Sequence, residues 1–334
     1  MPLNVGLVGA GMIGADHARR IGTAVAGARV AAVTDIDPDR AAAVAASCGA
    51  RTAASDREVV DAGDVDAVLV ASWGPAHAES VLAAVAARKP VFCEKPLATT
   101  AEDCLKIIEA EQASGRRLVQ VGFMRRYDTG YRALKRLVDG GDLGEPLMVH
   151  CVHRNAEVPE SYHSAMAVQD TAVHEIDAVR WLLDDEITSA QVLFPKRTRN
   201  RFDHLRDPQV MLFETASGAR VDVEVFVNCR YGYDIRCEVV GETGTAELPP
   251  PAEPAVRSAA RLSTAVVQDW KDRFADAYDT EIREWTAAAA EGTASGPSSW
   301  DGYAAAVVTD AAVRSQQTGD VVPTGIGRRP DFYA

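Results

Sequence analysis

The sequence predicts an α/β chain of two domains: a doubly wound parallel sheet first, then an α+β domain built on an open, largely antiparallel sheet. Three observations carry that expectation. An apolar run, Val5-Gly6-Leu7-Val8, opens into a glycine-rich turn, Gly9-Ala10-Gly11-Met12-Ile13-Gly14. Short apolar segments then alternate with helical ones as far as Gly122, the pattern of strands buried on both faces. Beyond that point the segments lengthen and alternate in polarity. Arg220-Val221-Asp222-Val223-Glu224-Val225-Phe226-Val227 is an example, and it suits a sheet covered on one face only. At 334 residues the chain can bury two full-sized cores. The change of pattern divides it into 1–122 and 123–334.

Each glycine of the turn has a physical task. Gly9 permits the tight turn, Gly11 lets a pyrophosphate approach the backbone, and Gly14 lets helix and strand pack closely. The helix expected over 13–25, entered through Met12 and Ile13, offers its N-terminal N–H groups to phosphates. This is the Rossmann pattern, and the cofactor it implies is NAD. The strand over 29–34 ends at Asp35, where a carboxylate accepts hydrogen bonds from the adenosine ribose and repels a 2′-phosphate. Asp37 stands close enough to take that part instead, and either residue could simply cap the helix beginning near Pro38.

Strand 67–71, helix 76–87, strand 90–93, helix 100–114 with Thr100 as its N-cap, and strand 118–121 complete the alternation. Ligands of such a sheet gather at the carboxyl ends of its strands. Two of those ends are polar: Ser72-Trp73-Gly74-Pro75-Ala76-His77 and Glu94-Lys95-Pro96. Taken singly, each is equally compatible with a loop and a capping residue.

In the second half, a strand over 146–155 puts Cys151, His153 and Asn155 on one face and His150 on the other. That parity argues against a metal site at His150-Cys151-Val152-His153. Gly241-Glu242-Thr243-Gly244 is a hairpin signal, Leu248 to Pro254 a surface loop, and helices are expected over 270–291 and 300–317. The most informative stretch is Ala167 to Leu183. Asp170, His174 and Asp177 sit at i, i+4 and i+7, so a helix carries all three on one face. An imidazole between two carboxylates suits proton transfer near neutral pH. The same spacing also describes a buried helix histidine satisfied by its neighbour; the hydride acceptor expected at the N-terminus tips the balance.

Composition narrows the function classes. A net charge of −13 argues against nucleic acid and anionic membrane surfaces. No apolar run approaches the length of a membrane span. Met1 leads almost directly into the first strand, leaving no room for a secretory leader. The six cysteines, Cys48, Cys93, Cys104, Cys151, Cys229 and Cys237, lack CxxC spacing and read as reduced thiols of a cytoplasmic protein.

Gly9-x-Gly11-x-x-Gly14, Glu94-Lys95-Pro96 and Asp170-x-x-x-His174 together resemble the glucose–fructose oxidoreductase/inositol dehydrogenase/MocA family over essentially the whole chain. Longer strings resemble its myo-inositol-oxidising branch: Val121 to Asp128, His153-Arg154-Asn155, Val173 to Asp177, Val227 to Asp234, and Ser295-Gly296-Pro297 before Trp300-Asp301-Gly302-Tyr303. The resemblance implies NAD-dependent oxidation of a cyclic polyol. Lys95 would hydrogen-bond the reacting hydroxyl, His174 would remove its proton, and Asp170 would orient His174. It also implies a cis peptide at Lys95–Pro96. Arg125, His153, Asn155, Asp177 and Tyr233 would read the substrate's hydroxyls, while Ser72, Trp73, His77 and Glu94 would line the cofactor cleft.

The residues themselves allow plainer roles for some of these: Arg125 on the surface, Tyr233 packed in a sheet, Asp177 paired with Arg180. An uncharged polyol does require several donors and acceptors, and the 153/155 strand face and the 170/174/177 helix face can meet at one polar pocket. Other inositols, glucose, or a non-catalytic sensing role are the alternatives. The family resemblance also implies a homotetramer built through the open sheet face, where Arg220, Asp222, Glu224 and Phe226 lie opposite the valines.

Overall fold

The computed structural model describes residues 2–334. Its first sheet grows from β1 (Leu3–Val8), apolar at every position but Asn4, and β2 (Ala28–Thr34). The short β3 (Arg51–Thr52), β4 (Ala67–Val70), β5 (Val91–Glu94) and β6 (Val119–Gly122) complete it. All pairings are parallel in the order β3-β2-β1-β4-β5-β6, the doubly wound Rossmann topology. β4, β5 and β6 are buried at every position, as strands covered on both faces must be.

The crossovers are α1 (Met12–Thr23), α2 (Pro38–Cys48), α3 (Asp56–Asp61), α4 (His77–Ala86) and α5 (Ala101–Ser114). Their starts follow local chemistry. The Asp37 side chain caps α2, Ser55 caps α3, and Thr100 caps α5 by accepting from the Asp103 N–H at 3.1 Å. β3 and α3 carried no sequence expectation, because two and six residues are too few to establish a period.

The second sheet is mixed. Its members are β7 (Pro146–Arg154), β8 (Ile187–Leu193), β9 (Gln209–Thr215), β10 (Arg220–Phe226), β11 (Asp234–Gly241), β12 (Thr245–Glu247) and a short β15 (Val322–Pro323). The order is β12-β11-β7-β10-β9-β8-β15, antiparallel except where β10 runs parallel to β7. Val221, Val223 and Val225 are buried while Asp222, Glu224 and Phe226 are half exposed, the alternation expected of a one-sided sheet. The hairpin at Gly241 closes with its N–H donating to the Gly244 carbonyl at 2.9 Å. β13 (Val256–Ser258) and β14 (Arg261–Ser263) form a separate exposed hairpin beyond the proline-rich loop.

The helices of this half are α6 (Thr129–Asp139), capped by Asp128, and α7 (Val173–Leu183). They are followed by α8 (Trp270–Ala290) and α9 (Ser299–Thr318). α6 had no sequence expectation.

The expected break at Gly122 assigned everything after it to one domain. By contact, one unit is Met1–Met124 with Asp276–Ala306 and Arg328–Ala334, and the other is Arg125–Ala275 with Val307–Gly327. The return to the first unit has a packing cause. Ile282, Trp285 and Ala289, spaced i, i+3 and i+7 on α8, enter one core with Leu7, Leu69 and Phe92. A buried carboxylate fastens the rest. Glu111 accepts from the N–H groups of Leu118 and Val119 at 2.7 and 2.8 Å, from Ser299 at 2.6 Å and from the Tyr333 hydroxyl at 2.8 Å.

Candidate active site

In the first unit the glycine turn has the geometry its residues allow. Gly9 adopts φ +93°, and a Cβ there would lie 2.4 Å from the Ser72 nitrogen. At Gly14 a Cβ would lie 2.0 Å from the Gly9 carbonyl oxygen, while at Gly11 it would meet nothing within 4 Å. Gly9 and Gly14 therefore make room for protein, and Gly11 leaves room for a ligand. Gly11 begins α1 without a side-chain cap, and the first turn carries no acid to compete with a phosphate. Met12, Ile36 and Trp73, beside the ends of β1, β2 and β4, are 63, 101 and 80% exposed. They form apolar surface suited to the flat rings of a dinucleotide.

Asp35 is more deeply engaged than a ribose ligand need be. Its Oδ2 accepts the Ala10 N–H at 2.6 Å and its Oδ1 the Asp37 N–H at 2.9 Å. The carboxylate thus rivets the glycine turn to the end of β2 and fixes a negative charge there. Asp37 caps α2 through the N–H groups of Asp39 and Arg40 at 3.1 and 3.2 Å.

The other two strand ends are tied together from within. Lys95–Pro96 is cis. The imidazole of His77, 1% exposed, spans two backbone carbonyls, with Nδ1 2.6 Å from that of Pro96 and Nε2 2.9 Å from that of Ser72. Glu94 is 6% exposed and turned inward, its Oε1 2.7 Å from Nε2 of His17 and its Oε2 accepting the Lys95 N–H at 3.2 Å. Two residues that the resemblance placed along the cofactor cleft, His77 and Glu94, are thus buried and hydrogen-bonded within the protein. The Ser72 hydroxyl is buried without a protein partner, an orphan of the kind a bound ligand satisfies.

In the second unit the helix of Asp170 and His174 departs from expectation. Ala167–Ala172 is a π-helical turn, and α geometry begins only at Val173. The widened turn is pinned where the Tyr162 hydroxyl lies 2.6 Å from Thr171 Oγ1. The three residues then differ in burial: Asp170 is exposed, His174 is 9% exposed, and Asp177 is 1% exposed. Asp177 is held by Arg126 through Nε at 2.9 Å and Nη2 at 2.5 Å. Arg180, the partner the spacing suggested, grips Glu186 at 2.6 and 2.8 Å.

Next to His174 in the chain, Glu175 belongs to a buried charged cluster and is a residue that sequence reasoning missed. Arg125, His153 and Glu175 are each 2% exposed or less. Arg125 Nη1 donates to Glu175 Oε1, and its Nη2 is 3.1 Å from His153 Nδ1. That nitrogen also lies 3.0 and 3.1 Å from the two Glu175 oxygens. Burial pushes the His153 imidazole down, further than Glu175 can hold it up. Burial raises Glu175, but Arg125 and His153 outweigh that and leave its carboxyl below the ordinary value. Tyr233 packs edge-on against His153 with ring centres 5.5 Å apart, and burial raises its hydroxyl. Asn155 keeps a buried Oδ1 with no protein partner, so among the proposed substrate readers it carries an acceptor left for a ligand. The signal for Glu175 was present in its place beside His174, but only the packing of β7 against α7 shows what it meets. His150 lies on the far sheet face, paired with Asp222.

Comparison with known proteins gives the same outline. Two domain models of one family match: the oxidoreductase family with NAD-binding Rossmann fold over residues 3–123, and its C-terminal alpha/beta domain over 135–324. Inositol 2-dehydrogenase 3 of Saccharopolyspora erythraea is 64% identical over 333 residues, covering 100% of this chain and 98% of its own. Inositol 2-dehydrogenase of Pseudomonas syringae pv. syringae is 57% identical, with 100% of both chains covered. The crystal structure of myo-inositol dehydrogenase from Lactobacillus casei, in complex with NAD(H) and myo-inositol, superposes with a TM-score of 0.98. It is 42% identical, with both chains covered in full.

Proposed function

This chain belongs to the glucose–fructose oxidoreductase/inositol dehydrogenase/MocA family, and from that membership we propose that it oxidises myo-inositol at C2 to 2-keto-myo-inositol. The observation that carries the reading is end-to-end similarity to proteins named inositol 2-dehydrogenase, at up to 64% identity among those compared. The unfilled space at Gly11, the uncapped start of α1 and the orphan Ser72 hydroxyl fit NAD. Bound there, NAD supplies the hydride acceptor.

The chain's own residues do the rest. The glycine turn and α1 hold the pyrophosphate. Asp35, or Asp37 beside it, takes the ribose and disfavours a 2′-phosphate. Lys95 donates a hydrogen bond to the reacting hydroxyl oxygen, and His174 accepts that hydroxyl's proton as the carbonyl forms. Asp170 orients His174 and stabilises its charged form. Asn155 reads a substrate hydroxyl with its orphan oxygen, while Arg125, His153, Asp177 and Tyr233 shape the pocket wall. NADH absorbance with myo-, scyllo- and chiro-inositol and glucose tests the reading. Preference for an isomer other than myo-inositol, or no turnover with any, overturns it.

The enzyme is cytoplasmic and homotetrameric in this proposal. Among the described residues no helix is long and apolar enough to cross a membrane. The open face of the second sheet has a cavity of about 250 Å³ lined by residues including Met148, His150, Leu212, Asp222 and Val321. Apolar groups mixed with charge suit a subunit contact made with the same face of another copy.

A further inference from the structure

We propose that His17 and Glu94 are positioning residues for Lys95, a buried imidazole–carboxylate pair that fixes the lysine's peptide to the helix receiving the cofactor's phosphates. The inference rests on the reading above, in which Lys95 acts on the substrate hydroxyl. His17 projects from the second turn of α1 and is fully buried. Its Nε2 lies 2.7 Å from Glu94 Oε1, and the other Glu94 oxygen accepts the backbone N–H of Lys95 at 3.2 Å. One carboxylate therefore links the phosphate-binding helix to the backbone of the reactive residue.

The surroundings are built to keep it there. Glu94 sits opposite Gly122 in the β5–β6 pairing, and a Cβ at Gly122 would come within 3.1 Å of the carboxylate. The His17 ring is fixed edge-on to Phe92, with centres 5.6 Å apart. On the far side, His77 lies 2.6 Å from the Pro96 carbonyl oxygen. The Lys95–Pro96 segment is thus held at both ends, and the proline has no N–H of its own to offer.

A stability role alone explains this poorly. His17 Nδ1 is buried without a partner, a cost that an apolar ring of similar size would avoid. A buried polar pair of this kind is weak evidence for stability, since well-packed apolar groups of similar volume often serve as well. What the pair supplies is a fixed acceptor for the Lys95 N–H, and a misplacement of about 1 Å at a reacting group can cost up to a hundredfold in rate.

The test uses the full-length enzyme with His17→Leu, Glu94→Gln, the double variant and Lys95→Ala. With His17→Leu, kcat should fall about tenfold or more while NADH affinity stays within about twofold, since the loss is of orientation and not of binding. The double variant should recover most of that loss, because an amide still accepts the Lys95 N–H and needs no partner for a charge. Wild-type kcat in His17→Leu overturns the proposal, and so does a loss that follows the melting temperature and is not relieved by Glu94→Gln. Should His17→Leu not fold, Glu94→Ala decides, because it removes the acceptor of the Lys95 N–H that Glu94→Gln keeps: a fall of about tenfold or more in kcat with NADH affinity kept supports the pair, and an unchanged kcat rejects it. Lys95→Ala separates the two claims. Normal turnover there defeats the role given to the lysine, whereas an inactive Lys95→Ala beside a normal His17→Leu defeats only the positioning pair.

Discussion

Each unit places a buried glutamate next to the residue assigned to chemistry, and the two glutamates are partnered differently. In the first unit Glu94 precedes Lys95 and meets an imidazole, His17. In the second, Glu175 follows His174 and meets both an imidazole, His153, and a guanidinium, Arg125. An arginine keeps its proton at any ordinary pH, so the second brace has a permanent countercharge and its histidine is free to be neutral. The first brace has only a ring and a backbone N–H. The difference teaches where each unit tolerates change: the second is locked by charge, the first by geometry.

The comparison would break first at the residues the braces serve. His174→Ala should lower turnover by about 10²–10⁴, the usual worth of a general base, with little change in NADH affinity measured by fluorescence. Near-normal turnover would leave Glu175 bracing nothing of catalytic importance. Removing the permanent countercharge comes next. Arg125→Met strands a buried carboxylate and should cost about 3–5 kcal/mol in urea unfolding, while adding Glu175→Gln should return part of it. A loss no greater than that of His17→Leu would erase the distinction between the units.

Acid should find the second unit first. The folded-state pKa of His153 lies below the ordinary 6.5, so the unfolded chain takes up that proton first and stability declines as pH falls below about 6.5. Glu175 is also lowered, from 4.5, and adds a further loss as pH drops below that value. Hydrogen exchange at α7 against pH reads this, and protection unchanged between pH values of about 7 and 5 would count against it.

Cofactor choice should respond more gently. Asp35→Ser with Ile36→Arg should move the kcat/KM ratio toward NADP, and an unchanged ratio would shift the ribose contact to Asp37. The smallest effect expected is on assembly. The first sheet is buried on both faces, whereas the second has Phe226 on an open one. Phe226→Lys should give smaller species in light scattering with the fold intact by circular dichroism.

The strand–helix alternation, the glycine turn and the one-sided sheet were legible because each rests on local periodicity or on the steric freedom of particular residues. The cis peptide before Pro96 was legible through the family resemblance. Less could be read where the period itself changed. The i, i+4, i+7 pattern of Asp170, His174 and Asp177 presumes 3.6 residues per turn, and the π turn at 167–172 breaks that presumption. The valines of β10 were assigned to the buried face and lie there, since alternation fixes parity whatever the partner.

What the sequence determined by itself was therefore the order of elements, the face each side chain takes within an element, and the residue types available for chemistry. Only the tertiary structure decided who meets whom. Asp177 takes Arg126 across 51 positions, Arg180 takes Glu186, and Glu94 turns to His17 across 77. Arg125 and His153 converge on Glu175. A buried charge must be compensated, but several partners of the right sign are always present in a chain this long. Which of them arrives is set by how strands and helices pack, information that no local spacing contains.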